Sequence, residues 1–133
     1  MSTPGRKNYQ LTASAIAFVA AGLPISTASA WQINFFDPSF LILWVGLGLL
    51  ASFGTNLIFT LKPGEMAGSF AVGYTLAVII RFVADILINN FTRSNLSMIL
   101  LVTIATGLVA GWLGSILWKM MKRSRNRNKK KKK

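Results

Sequence analysis

The stretch LSMILLVTIATGLVAGWLGSILW (residues 96–118) holds no charged residue, and KMMKRSRNRNKKKKK (residues 119–133) follows it with ten Lys or Arg and no acid. An apolar run of that length crosses the ~30 Å hydrocarbon core of a bilayer as one helix, and basic residues flanking a span stay on the cytoplasmic side. Together they predict an integral membrane protein whose carboxyl end faces the cytosol. The expected location is a bacterial inner membrane.

Composition bounds the rest. The chain has 133 residues, 53% of them hydrophobic, and a mean hydropathy of +0.51, which fits one small membrane domain with a tail rather than a soluble domain. A net charge of +12 would ordinarily point to nucleic acid, but ten of the fifteen basic residues lie in the tail. The charge therefore describes no face of a folded domain, and lipid headgroups are the nearer polyanion. The absence of Cys and His removes disulfides, thiolate chemistry, His-ligated haem and the usual zinc sites. No metal or other cofactor is expected.

Toward the amino end, Arg6 and Lys7 precede an apolar run over residues 11–23, then Pro24 and small residues ending in Ala28-Ser29-Ala30. These are the parts of a secretory signal peptide cut after Ala30, because the peptidase accepts only small side chains beside its cut. The run is also short against the ~20 residues that a spanning helix needs. The competing reading is a retained first span over residues 11–30, kinked where Pro24 lacks a backbone donor.

Residues 31–39 read as a short external segment whose Trp31, Phe35 and Phe36 suit the headgroup layer. Spans are expected at residues 40–61, 66–88 and 96–118, with Lys62-Pro63-Gly64-Glu65 as a tight cytoplasmic turn. Domains follow as 1–30 (signal peptide or first span), 31–118 (transmembrane helices) and 119–133 (basic tail). The fold class is an all-α integral membrane protein, a bundle of three transmembrane helices, or four if residues 1–30 are retained. The tail is expected to be disordered, since like charges repel and nothing apolar can be buried. Loop charges agree with this topology: Arg6, Lys7, Lys62 and the tail collect on one side, and only Arg93 lies in the opposite loops. Trp118 at the inner boundary, and Trp31 and Trp44 toward the outer one, are placed as interfacial anchors.

Spans meet in lipid where small side chains let backbones approach. Thr103, Gly107, Gly111 and Ser115 recur every fourth residue in the last span, Ser69, Gly73 and Ala77 in the one before, and Gly48 and Ser52 in the second. These stripes are expected to be helix contacts, either within one chain or between copies.

Arg81 and Asp85 are the only ionisable residues inside a span, and a charge in hydrocarbon costs ~2.5 to 3.5 kcal/mol unless it is paired or reaches water. Four residues apart, they share one helix face. Three readings are open: mutual pairing with Arg81 snorkelling to outer headgroups, a polar pathway or substrate contact, or docking on a charged residue of a partner subunit. Asn56 and Tyr74 are the next intramembrane polar candidates.

Catalysis is not expected. Three carboxylates exist, Asp37 outside, Glu65 inside and Asp85 in the outer leaflet, so no two can act as acid and base on one substrate. A nucleophilic Ser would lack His, and no Gly-rich phosphate loop follows a strand. The tail residues Lys119, Lys122, Arg123, Arg125, Arg127, Lys129, Lys130 and Lys131 are expected to bind the anionic inner leaflet or a partner, each contributing ~1 kcal/mol near such a surface. Nucleic acid is the weaker reading, because no aromatic residue interleaves the basics to stack on bases.

In layout, a short chain with two or three spans and a basic cytoplasmic end is similar to phage holins, and a signal-like leader before a hairpin of spans is similar to the membrane form of conjugative pilins. The extra last span and the Lys tail depart from the pilin pattern. The functional expectation is a non-catalytic subunit or scaffold of a membrane complex, with lipids and other subunits or its own copies as partners. The alternative is an oligomeric pore, holin-like or transporting, that uses Arg81 and Asp85.

Overall fold

The computed structural model describes residues 4–29, 32–90 and 92–131, which form four helices and no strand: α1 (Pro4–Thr27), α2 (Pro38–Ile58), α3 (Pro63–Asn89) and α4 (Leu96–Lys131). All four are long and apolar enough to cross a membrane. The chain is thus all-helical in the manner of an integral membrane protein. Trp31 and the inferred cut after Ala30 lie outside the described residues.

Local chemistry sets the helix boundaries. Asp37 caps α2, its carboxylate accepting from Ser39 N–H at 3.1 Å, and Pro38 occupies the first turn, where its missing N–H costs nothing. Lys62-Pro63-Gly64-Glu65, expected as a turn, instead opens α3. Pro63 starts the helix and the Glu65 carboxylate accepts the Lys62 N–H at 3.1 Å, which is half of a capping box. The turn itself is the short stretch 59–62. At its other end α3 stops on Asn90, left-handed at φ 50°, a conformation Asn tolerates better than most residues.

The helices alternate in direction, so Pro4, Ile58 and Pro63 share one end, called here the tail end, with Thr27, Pro38, Asn89 and Leu96 at the far end. Around the bundle the order is α1, α3, α4, α2, with α1 diagonal to α4 and α2 diagonal to α3. The parallel pairs α1–α3 and α2–α4 are joined by the antiparallel pairs α1–α2 and α3–α4.

Small residues make these crossings possible. A Cβ built on Gly107 would fall 2.8 Å from Ala71 Cα, and one on Gly111 2.7 Å from the Met66 carbonyl, so α4 lies against α3 backbone to backbone. A Cβ on Gly73 would strike the Ser14 carbonyl of α1, and one on Gly48 the Tyr74 hydroxyl. Facing Gly73, Ala13, Ala17 and Ala21 run along α1 at fourfold spacing, each fully buried. The perimeter inverts the pattern of a soluble protein: Ile42, Leu50, Ile58, Leu87 and Ile88 are exposed, while Ser52, Thr55, Asn56, Thr103 and Ser115 are buried.

Aromatic rings fill the centre. Trp44 is fully buried, 5.0 Å from the Tyr74 ring and 5.8 Å from that of Phe35, and its indole N–H donates to the Ala21 carbonyl at 3.1 Å. It is therefore not the interfacial anchor its position suggested: the small stripes of α1, α3 and α4 leave a central space that only a large side chain can fill. Phe35 is likewise buried rather than lying in the headgroup layer, whereas Phe36 stays exposed. Trp112 faces outward, half exposed, and Trp118 meets Phe53 edge to face.

The basic run departs from the expected disorder. Helix α4 continues through it to Lys131 without a break. Adding residues to an existing helix needs no new nucleus, Lys and Arg are good helix formers, and positive charge near a helix C-terminus complements its dipole.

Candidate functional site

The intramembrane charges lie in a cluster at the far end. Arg81 Nε approaches Asp85 Oδ1 to 3.0 Å, the i,i+4 geometry anticipated, but its N–H is not aimed at that oxygen, so the contact is an ion pair rather than a directed hydrogen bond. The directed bond goes elsewhere: Arg81 Nη2 donates to the Ala28 carbonyl at 2.9 Å, just past the end of α1. Asp85 is 2% exposed, and its Oδ2 is buried without a hydrogen-bond partner, while Asn89 Nδ2 lies 3.5 Å from Oδ1.

Arg93, from the α3–α4 loop, completes the cluster. Its guanidinium donates to the Ile33 carbonyl at 3.0 Å and lies 5.1 Å over the Phe35 ring. Burial pushes Arg93 below the usual arginine pKa, with the nearby Asp85 raising it and Arg81 lowering it. One carboxylate thus sits among two guanidinium groups that each hold a carbonyl of the α1–α2 connection. The arrangement ties a loop to the bundle.

Asn56 and Tyr74 also face inward to the chain itself. Asn56 Oδ1 accepts from Leu61 N–H at 3.2 Å, bracing the turn between α2 and α3, with Nδ2 left unpaired. The Tyr74 hydroxyl donates to the Trp44 carbonyl at 2.7 Å, across the diagonal of the bundle. The four polar candidates therefore divide among three places: Arg81 and Asp85 together at the far end, Asn56 near the tail end and Tyr74 at the centre.

The small-residue stripes are brought together within one chain. Ser52 Oγ donates to the Gly111 carbonyl at 3.0 Å, Ser69, Gly73 and Ala77 are buried on α3, and Thr103, Gly107, Gly111 and Ser115 are buried on α4. Thr103 and Thr106 return their hydroxyls to carbonyls one turn back, which satisfies them without a partner helix.

The tail is a projecting cationic arm. Helix α4 has 36 residues, or about 54 Å at ~1.5 Å each, against a hydrocarbon layer of about 30 Å. Lys119, Lys122, Arg123, Arg125, Arg127, Lys129 and Lys130 are all exposed on the surplus; Lys131 ends the helix, its side chain outside the described residues. An unbroken helix carries these charges away from the bundle end rather than along it.

Sequence reasoning missed two features. The α1 stripe Ala13, Ala17, Ala21 carried its signal in its fourfold spacing, which the signal-peptide pattern obscured. Arg93 had a weaker signal, as the one basic residue on the side where basic residues are depleted. No protein-family model, no curated protein and no solved structure matches the chain.

Proposed function

We propose that the protein is a non-catalytic subunit or scaffold of a membrane complex in a bacterial inner membrane, with residues 1–30 retained as a first span and the basic arm in the cytosol. The observation that carries this reading is the use of Arg81 and Asp85: they engage each other and the chain's own Ala28 carbonyl, so the charges fix a loop instead of lining a path. Retention of α1 is supported by its buried alanine face, by the Trp44–Ala21 hydrogen bond, and by the Arg6–Glu65 ion pair at 2.9 Å. A non-catalytic role is supported by the carboxylates, which are each engaged: Asp37 in a helix cap, Glu65 with Arg6, Asp85 with Arg81.

The arm suits two contacts. Lys119, Lys122 and Arg123 sit near enough to an anionic leaflet to act within a Debye length of about 8 Å. Arg125, Arg127, Lys129 and Lys130 lie farther out, within reach of an acidic partner. Crosslinking in native membranes, followed by purification in mild detergent, tests the reading. One distinct partner protein is the expected outcome. A ladder of homomers, together with ion flux that Arg81→Leu abolishes, would replace the scaffold with a pore. Intact mass reports whether residues 1–30 remain.

A further inference from the structure

Two grooves run along the seam between α1 and α3, and they differ in charge. The far-end groove, about 390 Å³, is lined by Phe18, Leu23 and Ile80 and ends at Arg81, whose charge is already met by Asp85 and the Ala28 carbonyl. The tail-end groove, about 560 Å³, begins at Lys7 and Glu65 and runs between Leu11 and Val72 over Gly64 and Gly68. The glycines make the depression, since a Cβ on either would meet nothing within 4 Å.

Lys7 has no carboxylate partner among the described residues. Glu65, the acid of this end, is held by Arg6 at 2.9 Å and by the Lys62 N–H at 3.1 Å. Deeper in the groove Ser69 is 6% exposed, and its hydroxyl has no hydrogen-bond partner within the described protein. A cation at the water-facing mouth, a hydroxyl behind it and apolar walls below match one kind of occupant. From Lys7 to Ser14 the groove extends about 10 Å along α1, the depth of a headgroup and the start of a chain.

We infer that this groove binds one anionic phospholipid of the leaflet at the tail end, its phosphate at Lys7 and its acyl chain between Leu11 and Val72. Basic pockets between transmembrane helices on the cytoplasmic side are recognised lipid sites on the same electrostatic grounds. The inference rests on the retention of α1 proposed above.

The test uses full-length protein in phosphatidylcholine nanodiscs that contain a phosphatidylglycerol with a photoactivatable acyl chain. The expected result is labelling of peptides containing Leu11 or Val72, with unlabelled phosphatidylglycerol competing about fivefold better than phosphatidylcholine. Lys7→Gln should abolish that preference. Gly68→Leu, which fills open space without disturbing a helix contact, should remove the labelling while melting stays unchanged. Equal competition by the two lipids, or labelling that survives Gly68→Leu, overturns the site. The arm is identical in all these proteins, so its own attraction for anionic lipid cannot produce the differences. Intact mass separates the two failures: a chain lacking residues 1–30 overturns retention and groove together, whereas a chain that keeps them without lipid preference overturns the groove alone.

Discussion

The two ends of the chain invite opposite readings from composition, and both are helical in the structure, for different reasons. Residues 4–27 look like a disposable leader, yet as α1 they contribute Ala13, Ala17, Ala21 and Ile25 to the core, accept the Trp44 N–H, and end beside a carbonyl held by Arg81. Residues 119–130 look like a disordered tail, yet they are helical, and all are exposed. The difference lies in the source of order. Helix α1 is held by contacts with α2 and α3, while the arm inherits its helix from the span before it and returns no burial to the fold. The first should respond strongly to substitution and the second hardly at all.

The largest effect is expected from Arg81→Leu. It releases the end of α1 and leaves the buried Asp85 without the guanidinium 3.0 Å away, with Arg93 alone nearby, a loss of about 3 to 5 kcal/mol in unfolding free energy measured in detergent. The double variant Arg81→Leu/Asp85→Leu should recover most of that loss, because no lone charge then remains buried. A single variant as stable as the parent would break the view that the far-end charges hold α1.

Next comes Gly73→Leu, which drives a side chain into the Ser14 carbonyl and Ala17 of α1 and should cost about 1 to 3 kcal/mol. Its control is Gly22→Leu on α1, where a Cβ meets nothing within 4 Å and thermal melting should not change. Equal effects from the two would mean that α1 does not dock on α3 as described. Trp44→Phe keeps most of the ring but removes the N–H donated to Ala21, for a smaller loss of about 1 kcal/mol by the same melting assay.

The smallest effect on stability belongs to the arm. Replacing Lys119, Lys122, Arg123, Arg125, Arg127, Lys129 and Lys130 by Gln should leave stability within about 0.5 kcal/mol, because none of them is buried. The same variant should lose most of its salt-sensitive binding to anionic vesicles in a co-sedimentation assay. A large drop in melting temperature would show that the arm is integrated into the fold after all.

Much of the framework was legible without coordinates. The helices fall where apolar runs between Pro, Asn and charged residues place them, because backbone groups in lipid must bond within their own helix and length then follows membrane thickness. Gly48, Gly73, Gly107 and Gly111 were legible as contacts because a missing side chain is the one feature that permits such approach. The Arg81–Asp85 pair followed from fourfold spacing alone. The roles of Ala28 and Ile33 were not legible, since a backbone carbonyl has no signature in sequence, and Arg81 Nη2 reaches Ala28 across 53 positions of the chain.

What the sequence determined by itself is therefore local: which segments are helical, how long they are, and where their small and charged residues fall. Only the tertiary structure decided which helices adjoin, that α1 belongs to the core, that Trp44 fills the centre instead of anchoring an interface, and that the far-end charges hold a loop. The physical reason is that helix formation satisfies each residue through neighbours four positions away. Burial and long-range hydrogen bonding depend on which surfaces meet, and that choice is made jointly by all four helices.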